Sequence, residues 1–159
     1  MPLKEIKSGN ELIPIINQVD ISDYDIISHS KEFSFNWDLE KGHEVYKIHL
    51  REKESEILGL ISLIDWPSEY RIHLNLIEIG KTNRGSKKKI DNIAGCLLAF
   101  ACKLAFKRGY WGFVSLQPKT RLIGLYRKKY GFQLYGKLMA VEQESSRQLI
   151  KTYLENENE

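Results

Sequence analysis

The chain has only two cysteines, Cys96 and Cys102, and both fall in one apolar stretch. Six residues apart on a helix they lie on different faces, which argues against a disulfide between them and against a shared metal. No histidine cluster has metal-ligand spacing either, so no metal site is expected. So few thiols suit a reducing compartment, and a cytoplasmic protein is the expectation. No apolar run approaches membrane-spanning length, and Met1-Pro2-Leu3-Lys4-Glu5 offers no signal-peptide core, so neither secretion nor a membrane partner is expected. Internal repeats and linkers are absent as well. A formal net charge of +3 is too small to argue for nucleic acid.

What is present is enough for one domain. At 159 residues, with 42% hydrophobic and 28% charged side chains, the chain can bury a single core without a second unit. Residues 3–6 read as a short strand, and 11–19 as a short helix starting near Pro14. Residues 21–41 are hard to read; Phe33, Phe35 and Trp37 alternate with polar neighbours and suit either a strand or the wall of a pocket, with burial the stronger reading. Period-two alternation over Tyr46, Ile48 and Leu50 predicts a half-exposed strand, and the apolar run 57–64 a central one. A further strand covers 70–79.

Helical periodicity then starts near Asn92, with Asp91 or Asn92 as cap, and Gly109 stops it. Trp111 to Leu116 reads as a buried strand. Strand, helix and strand in this order make a crossover with a parallel pair. A helix over 120–129, strands near 132–134 and 138–142, and a last helix over 145–154 complete the chain.

Between the 70–79 strand and the long helix lie Lys81, Arg84, Lys87, Lys88 and Lys89, with no acid among them. Cations beside the unpaired amides of a helix N-terminus favour a phosphate-bearing ligand; the alternative is a solvated loop. Gly80-Lys81-Thr82 and Gly85-Ser86-Lys87 each echo part of the Walker pattern GxxxxGK[ST], and neither completes it. The loop lacks the interleaved aromatics that stack on bases, which ranks nucleic acid last among its partners.

Residues 57–132 resemble the acetyl-coenzyme A binding core of the GNAT N-acyltransferase superfamily. The loop pattern [QR]-x-x-G-x-[GA] falls on Lys89-Ile90-Asp91-Asn92-Ile93-Ala94, and Leu125-Tyr126-Arg127-Lys128-Lys129-Tyr130-Gly131-Phe132 matches a closing signature near LYxKxGF. The sequence departs from the family in four respects: Lys89 replaces Arg or Gln, Asn92 stands at the first glycine, Lys119 sits where many members have Asn, and the loop from Lys81 to Lys88 is several residues longer than usual. Asn is the least damaging substitute for a glycine with positive φ.

The resemblance implies an α+β domain with a central mixed, mostly antiparallel sheet flanked by helices. It also implies direct acetyl transfer from acetyl-coenzyme A to an amine acceptor. On that basis Ile79, Gly80, Lys81, Arg84, Lys87, Lys88, Lys89, Asn92, Ile93, Ala94, Gly95 and Lys119 would hold the cofactor, with an amide near Ile79 polarising the thioester. Tyr126 matches the family's acid. Glu78, interrupting an apolar strand, is the expected base, at an exposed cleft position or paired with a lysine. Trp37 is expected to line the acceptor pocket, and His73 and Asn75 to line it or to sit at a wet edge, opposite to Glu78 unless a bulge intervenes. A non-catalytic coenzyme-A-binding domain is the main rival, and a homodimer is an open assembly.

Overall fold

The computed structural model describes residues 2–155. Its strands are β1 (Leu3–Glu5), β2 (Glu11–Leu12), β3 (Pro14–Gln18), β4 (Glu44–Leu50), β5 (Gly59–Trp66), β6 (Arg71–Ile79), β7 (Ile90–Asp91), β8 (Val114–Leu116), β9 (Gln133–Tyr135) and β10 (Leu138–Val141). The helices are α1 (Ile21–His29), α2 (Ile93–Lys107), α3 (Ile123–Tyr130) and α4 (Gln143–Tyr153). Seven strands form one sheet in the order β3-β4-β5-β6-β8-β10-β9, and β2-β1-β7 form a small second sheet. All neighbours are antiparallel except β6 and β8, which the α2 crossover makes parallel, as the strand-helix-strand pattern predicted.

The expected helix over 11–19 is instead β2 and β3. Pro14 opens the edge strand β3, where its missing N–H costs no ladder bond on the solvent side, and the isoleucines after it suit a pleated surface. A helix does form over 21–29, where no element was predicted. Asp20 and Asp23 build a reciprocal capping box, Asp23 N–H to Asp20 Oδ1 and Asp20 N–H to Asp23 Oδ2, each at 3.0 Å. The expected strand at Trp111 begins only at Val114. Trp111 (φ 57°) and Gly112 (φ 73°) are left-handed, so pleating cannot start there, and Trp111 is exposed.

Helices α2, α3 and α4 cover one face of the sheet. The main core lies there, with Ile61, Leu63, Ile72, Leu74, Val114 and Leu116 facing Leu97, Leu98 and Ala101 of α2. On the opposite face α1 and a 3-10 turn, Trp37–Glu40, close a smaller core of Ile27, Trp37, Val45 and Leu60. At the C-terminal end of α2, Arg108 binds Glu44 (2.6 and 2.8 Å) and Asp65 (3.1 Å), tying the helix end to β4 and β5.

Candidate functional site

The parallel pairing of β6 with β8 covers only Ile72↔Val114, His73↔Ser115 and Leu74↔Leu116. Beyond Leu74 strand β6 runs on to Ile79 while β8 ends, so the centre of the sheet opens into a fork. The register between β5 and β6 slips at the same point, Ser62 facing Leu76 and Leu63 facing Leu74, which leaves Asn75 as a bulged residue. Ile72 and Leu74 face the main core before the bulge, Ile77 and Ile79 after it. The bulge therefore puts His73 on the same face as Glu78, which decides the alternative left open by the sequence.

The N-terminus of α2 lies over the open end of this fork. Gly59 pairs with Ile79, and a Cβ at Gly59 would stand 3.0 Å from Ile93 and 3.2 Å from Leu97. Asn92, at the N-cap, has φ 73°, the left-handed conformation that the missing glycine demanded, and its side chain does not cap the helix. Its Nδ2 donates to Pro2 O (3.1 Å), and β7 just before it pairs with β1. The N-terminal segment thus braces the helix entrance.

Three sets of expected contacts have partners within the protein. The main-chain donors after Ile79 are consumed within the protein: Gly80 N–H by Leu58 O (2.9 Å) and Lys81 N–H by Glu32 O (3.0 Å), with Thr82 N–H on the Glu32 carboxylate. They are not available to grip a phosphate. Gly95 keeps its place for packing, since a Cβ there would overlap the Tyr153 ring of α4; only its amide remains for a ligand. Lys88 pairs with Asp91 at 2.9 Å, which holds the Asp91 carboxyl below the usual range. Lys81, Arg84, Lys87, Lys89 and Lys119 are exposed. Buried Asn83 pins the loop by accepting from Lys89 N–H and Ile90 N–H.

Glu78 is neither exposed nor paired with a lysine. It is 3% exposed, and its carboxylate accepts from Ser34 N–H (2.8 Å), Ser34 Oγ (3.0 Å), Phe35 N–H (3.3 Å) and Trp37 Nε1 (2.8 Å). Burial alone would raise its pKa, but these donors outweigh it and hold the group below the ordinary glutamate value. Trp37 is likewise a core residue, 2% exposed, although with Phe33 and Phe35 it does wall a cavity of about 180 Å³ beside α1.

His73 is half-buried. Its Nδ1 lies 2.9 Å from Ser115 Oγ and 3.2 Å from Arg71 Nη1, while Arg71 donates to Ser115 Oγ at 2.7 Å. Burial first, and then the Arg71 charge, push its pKa below 6.5, so the ring is neutral at pH 7. Asn75 donates to the buried Glu40 carboxylate at 2.6 Å. Tyr126 packs edge-on against Phe132 (5.4 Å) and beside Tyr130 (6.1 Å), in the cluster that also holds Ile77 and Ile79. Burial raises its pKa, which keeps the phenol protonated.

No family model matches the sequence, and no curated protein matches it either. Solved structures do match. Nourseothricin acetyltransferase superposes with a TM-score of 0.60 at 14% identity, over 81% of this chain and 98% of its own. Spermidine/spermine N-acetyltransferase SpeG from Vibrio cholerae gives 0.60 at 13%, over 88% and 97%. AtaTR, solved with acetyl-coenzyme A bound, gives 0.59 at 16%, over 87% and 98%. The chain has the GNAT acyltransferase fold.

Within a GNAT fold, the residues present suit a coenzyme A in part. The fork leaves one side of β6 without a strand neighbour, and the α2 entrance presents amides of Ile93, Ala94 and Gly95 under a left-handed Asn92, close to the exposed loop cations. Sequence reasoning missed Arg71, Ser115 and Glu40. Ser115 between Val114 and Leu116 was visible as a period-two polar position, whereas the Glu40 to Asn75 bond crosses 35 residues and had no local signal.

Proposed function

We propose that the protein is an N-acetyltransferase that transfers acetyl from acetyl-coenzyme A to an amine by direct attack. The observation that carries this reading is the fork: a parallel pair that parts beside a bulge, with the N-terminus of the crossover helix over the gap. The acetyl-coenzyme A bound to AtaTR, a protein of the same fold, supports the choice of donor.

Acetyl-coenzyme A supplies the acyl group as a thioester. The unpaired side of β6 beyond Leu74 suits an amide-bearing chain laid alongside it like an added strand. The amides of residues 93–95 suit the diphosphate, with charge from Arg84, Lys87 and Lys89 rather than from the satisfied donors of Gly80 and Lys81. Lys119, after β8, adds a cation on the other side of the gap.

An ammonium is no nucleophile, so the acceptor must lose a proton to a base. Glu78 has spent its lone pairs on the 34–37 segment, and the base role passes to His73, neutral and on the acceptor face. That role requires the tautomer with Nδ1–H on Ser115, which leaves Nε2 its lone pair. Tyr126, protonated, supplies the proton for the departing sulfur. Release of the coenzyme A thiol, followed against pH, tests both assignments. The rate falls as pH drops through the His73 pKa, which lies below 6.5, and the ring gains its proton; His73→Gln lowers the rate and removes that limb. Tyr126→Phe lowers kcat roughly 10²-fold with acetyl-coenzyme A affinity unchanged. Wild-type rates in either variant would remove that residue from the mechanism.

A further inference from the structure

The acetyltransferase reading leaves the acceptor open, and the sheet face opposite α2 bears on it. Helix α1 and the 3-10 turn cover this face only over β4, β5 and the end of β6. Strand pairing fixes what the uncovered part presents. Trp66 lies opposite Arg71, Ile64 opposite His73, Ala140 opposite Ser115 and Tyr135 opposite Leu138. Phe113 joins them, its ring 6.3 Å from that of Tyr135.

The result is a polar strip of Arg71 and His73, anchored on the buried Ser115 hydroxyl and running to the fork, with aromatic rings on both sides. Arg71 stacks over Trp66 at 5.5 Å, so even its charge presents a flat surface. Trp66 (42% exposed) and Tyr135 (50% exposed) have no ring partner across the strip. Carboxylates are scarce here. Glu69 is committed to Arg71 at 2.7 Å and Glu40 to Asn75, while Asp23 on α1 is taken by Lys47 at 2.8 Å. A linear polyamine needs several acids spaced along its length, and outside these pairs the strip meets the carboxylate of Glu142, at the end of β10 beside Phe113.

We infer that the acceptor is a primary amine on a planar aromatic body, held between Trp66 and the Phe113–Tyr135 pair with its nitrogen toward His73 and the fork. The inference rests on the acetyltransferase reading. In the transfer the ammonium first gives one proton to His73, which passes it to solvent. The neutral nitrogen then bonds to the acetyl carbon as the carbon–sulfur bond breaks, its second proton goes to His73, the Tyr126 proton goes to the thiolate, and the tyrosinate regains its proton from solvent.

Two measurements test it separately from the reading beneath it. Calorimetry establishes whether acetyl-coenzyme A binds, and thiol release is then followed with tryptamine and with spermidine. Tryptamine should be acetylated with kcat/KM at least ~10-fold above spermidine. Trp66→Ala and Tyr135→Ala, both at side chains near half exposure, should each raise the tryptamine KM roughly 3- to 10-fold and leave the affinity for acetyl-coenzyme A unchanged. Preference for spermidine, transfer to neither amine by a protein that binds acetyl-coenzyme A, or an unchanged KM in both variants overturns the acceptor class. Absence of acetyl-coenzyme A binding overturns the activity itself.

Discussion

A carboxylate that accepts from two main-chain amides, a hydroxyl and an indole holds a loop in place and has no lone pair left for a substrate. Glu78 does this from within β6, reaching Ser34, Phe35 and Trp37 across more than 40 residues of sequence. Glu78→Gln would turn an amide N–H₂ toward donors, and it is expected to cost about 3 kcal/mol in urea denaturation at pH 7. The pH sense follows from a folded pKa below the ordinary 4.5. The ionised group stabilises the fold above pH 4.5, and that contribution is lost as pH falls through the lower folded value. An unchanged urea midpoint in the variant would deny Glu78 its anchoring role. The sequence marked Glu78 as an oddity because it interrupts an apolar strand, but its donors lie on a segment with no readable pattern. Asn92 was the opposite case: a lone asparagine at a glycine position announced its positive φ in advance.

Among the elements, those with long periodic patterns were legible and those decided by packing were not. Helix α2 follows from its apolar spacing, and β6-α2-β8 from the order of strand, helix and strand. Helix α1 escaped because Ser, Asp and Ile dominate it and its apolar face is narrow; the Asp20-x-x-Asp23 pair was the one local sign. Strand β3 escaped because Pro14 reads equally as a helix start. The interface between α2 and α4 depends on Gly95, whose packing against Tyr153 had no local signal in the sequence. Gly95→Ala improves helix propensity by about 1 kcal/mol, but its methyl would overlap the Tyr153 ring. The overlap wins, and a net loss of about 1–3 kcal/mol is expected in thermal or chemical denaturation. A variant as stable as the parent would mean that α4 can shift away from α2 at little cost.

At the scale of the whole molecule, the sheet sorts its duties by face and by end. Helices α2, α3 and α4 bury one face, and the fork opens where β6 outruns β8. The other face is closed over β4 and β5 and open toward β9. Among the described residues no helix is long and apolar enough to cross a membrane. The small β2-β1-β7 sheet joins the first residues of the chain to the entrance of α2, a long-range pairing that two- and three-residue strands do not announce in sequence. The cationic loop could be read from its lysines, but which main-chain donors it keeps for a ligand depends on Glu32 and Leu58, distant in sequence. The central claim is that the fork and the α2 entrance hold acetyl-coenzyme A, and calorimetric titration of the protein with that compound tests it most directly. One molecule bound per chain, with affinity falling as salt screens the loop cations, is the predicted result. No heat of binding at millimolar acetyl-coenzyme A would contradict it.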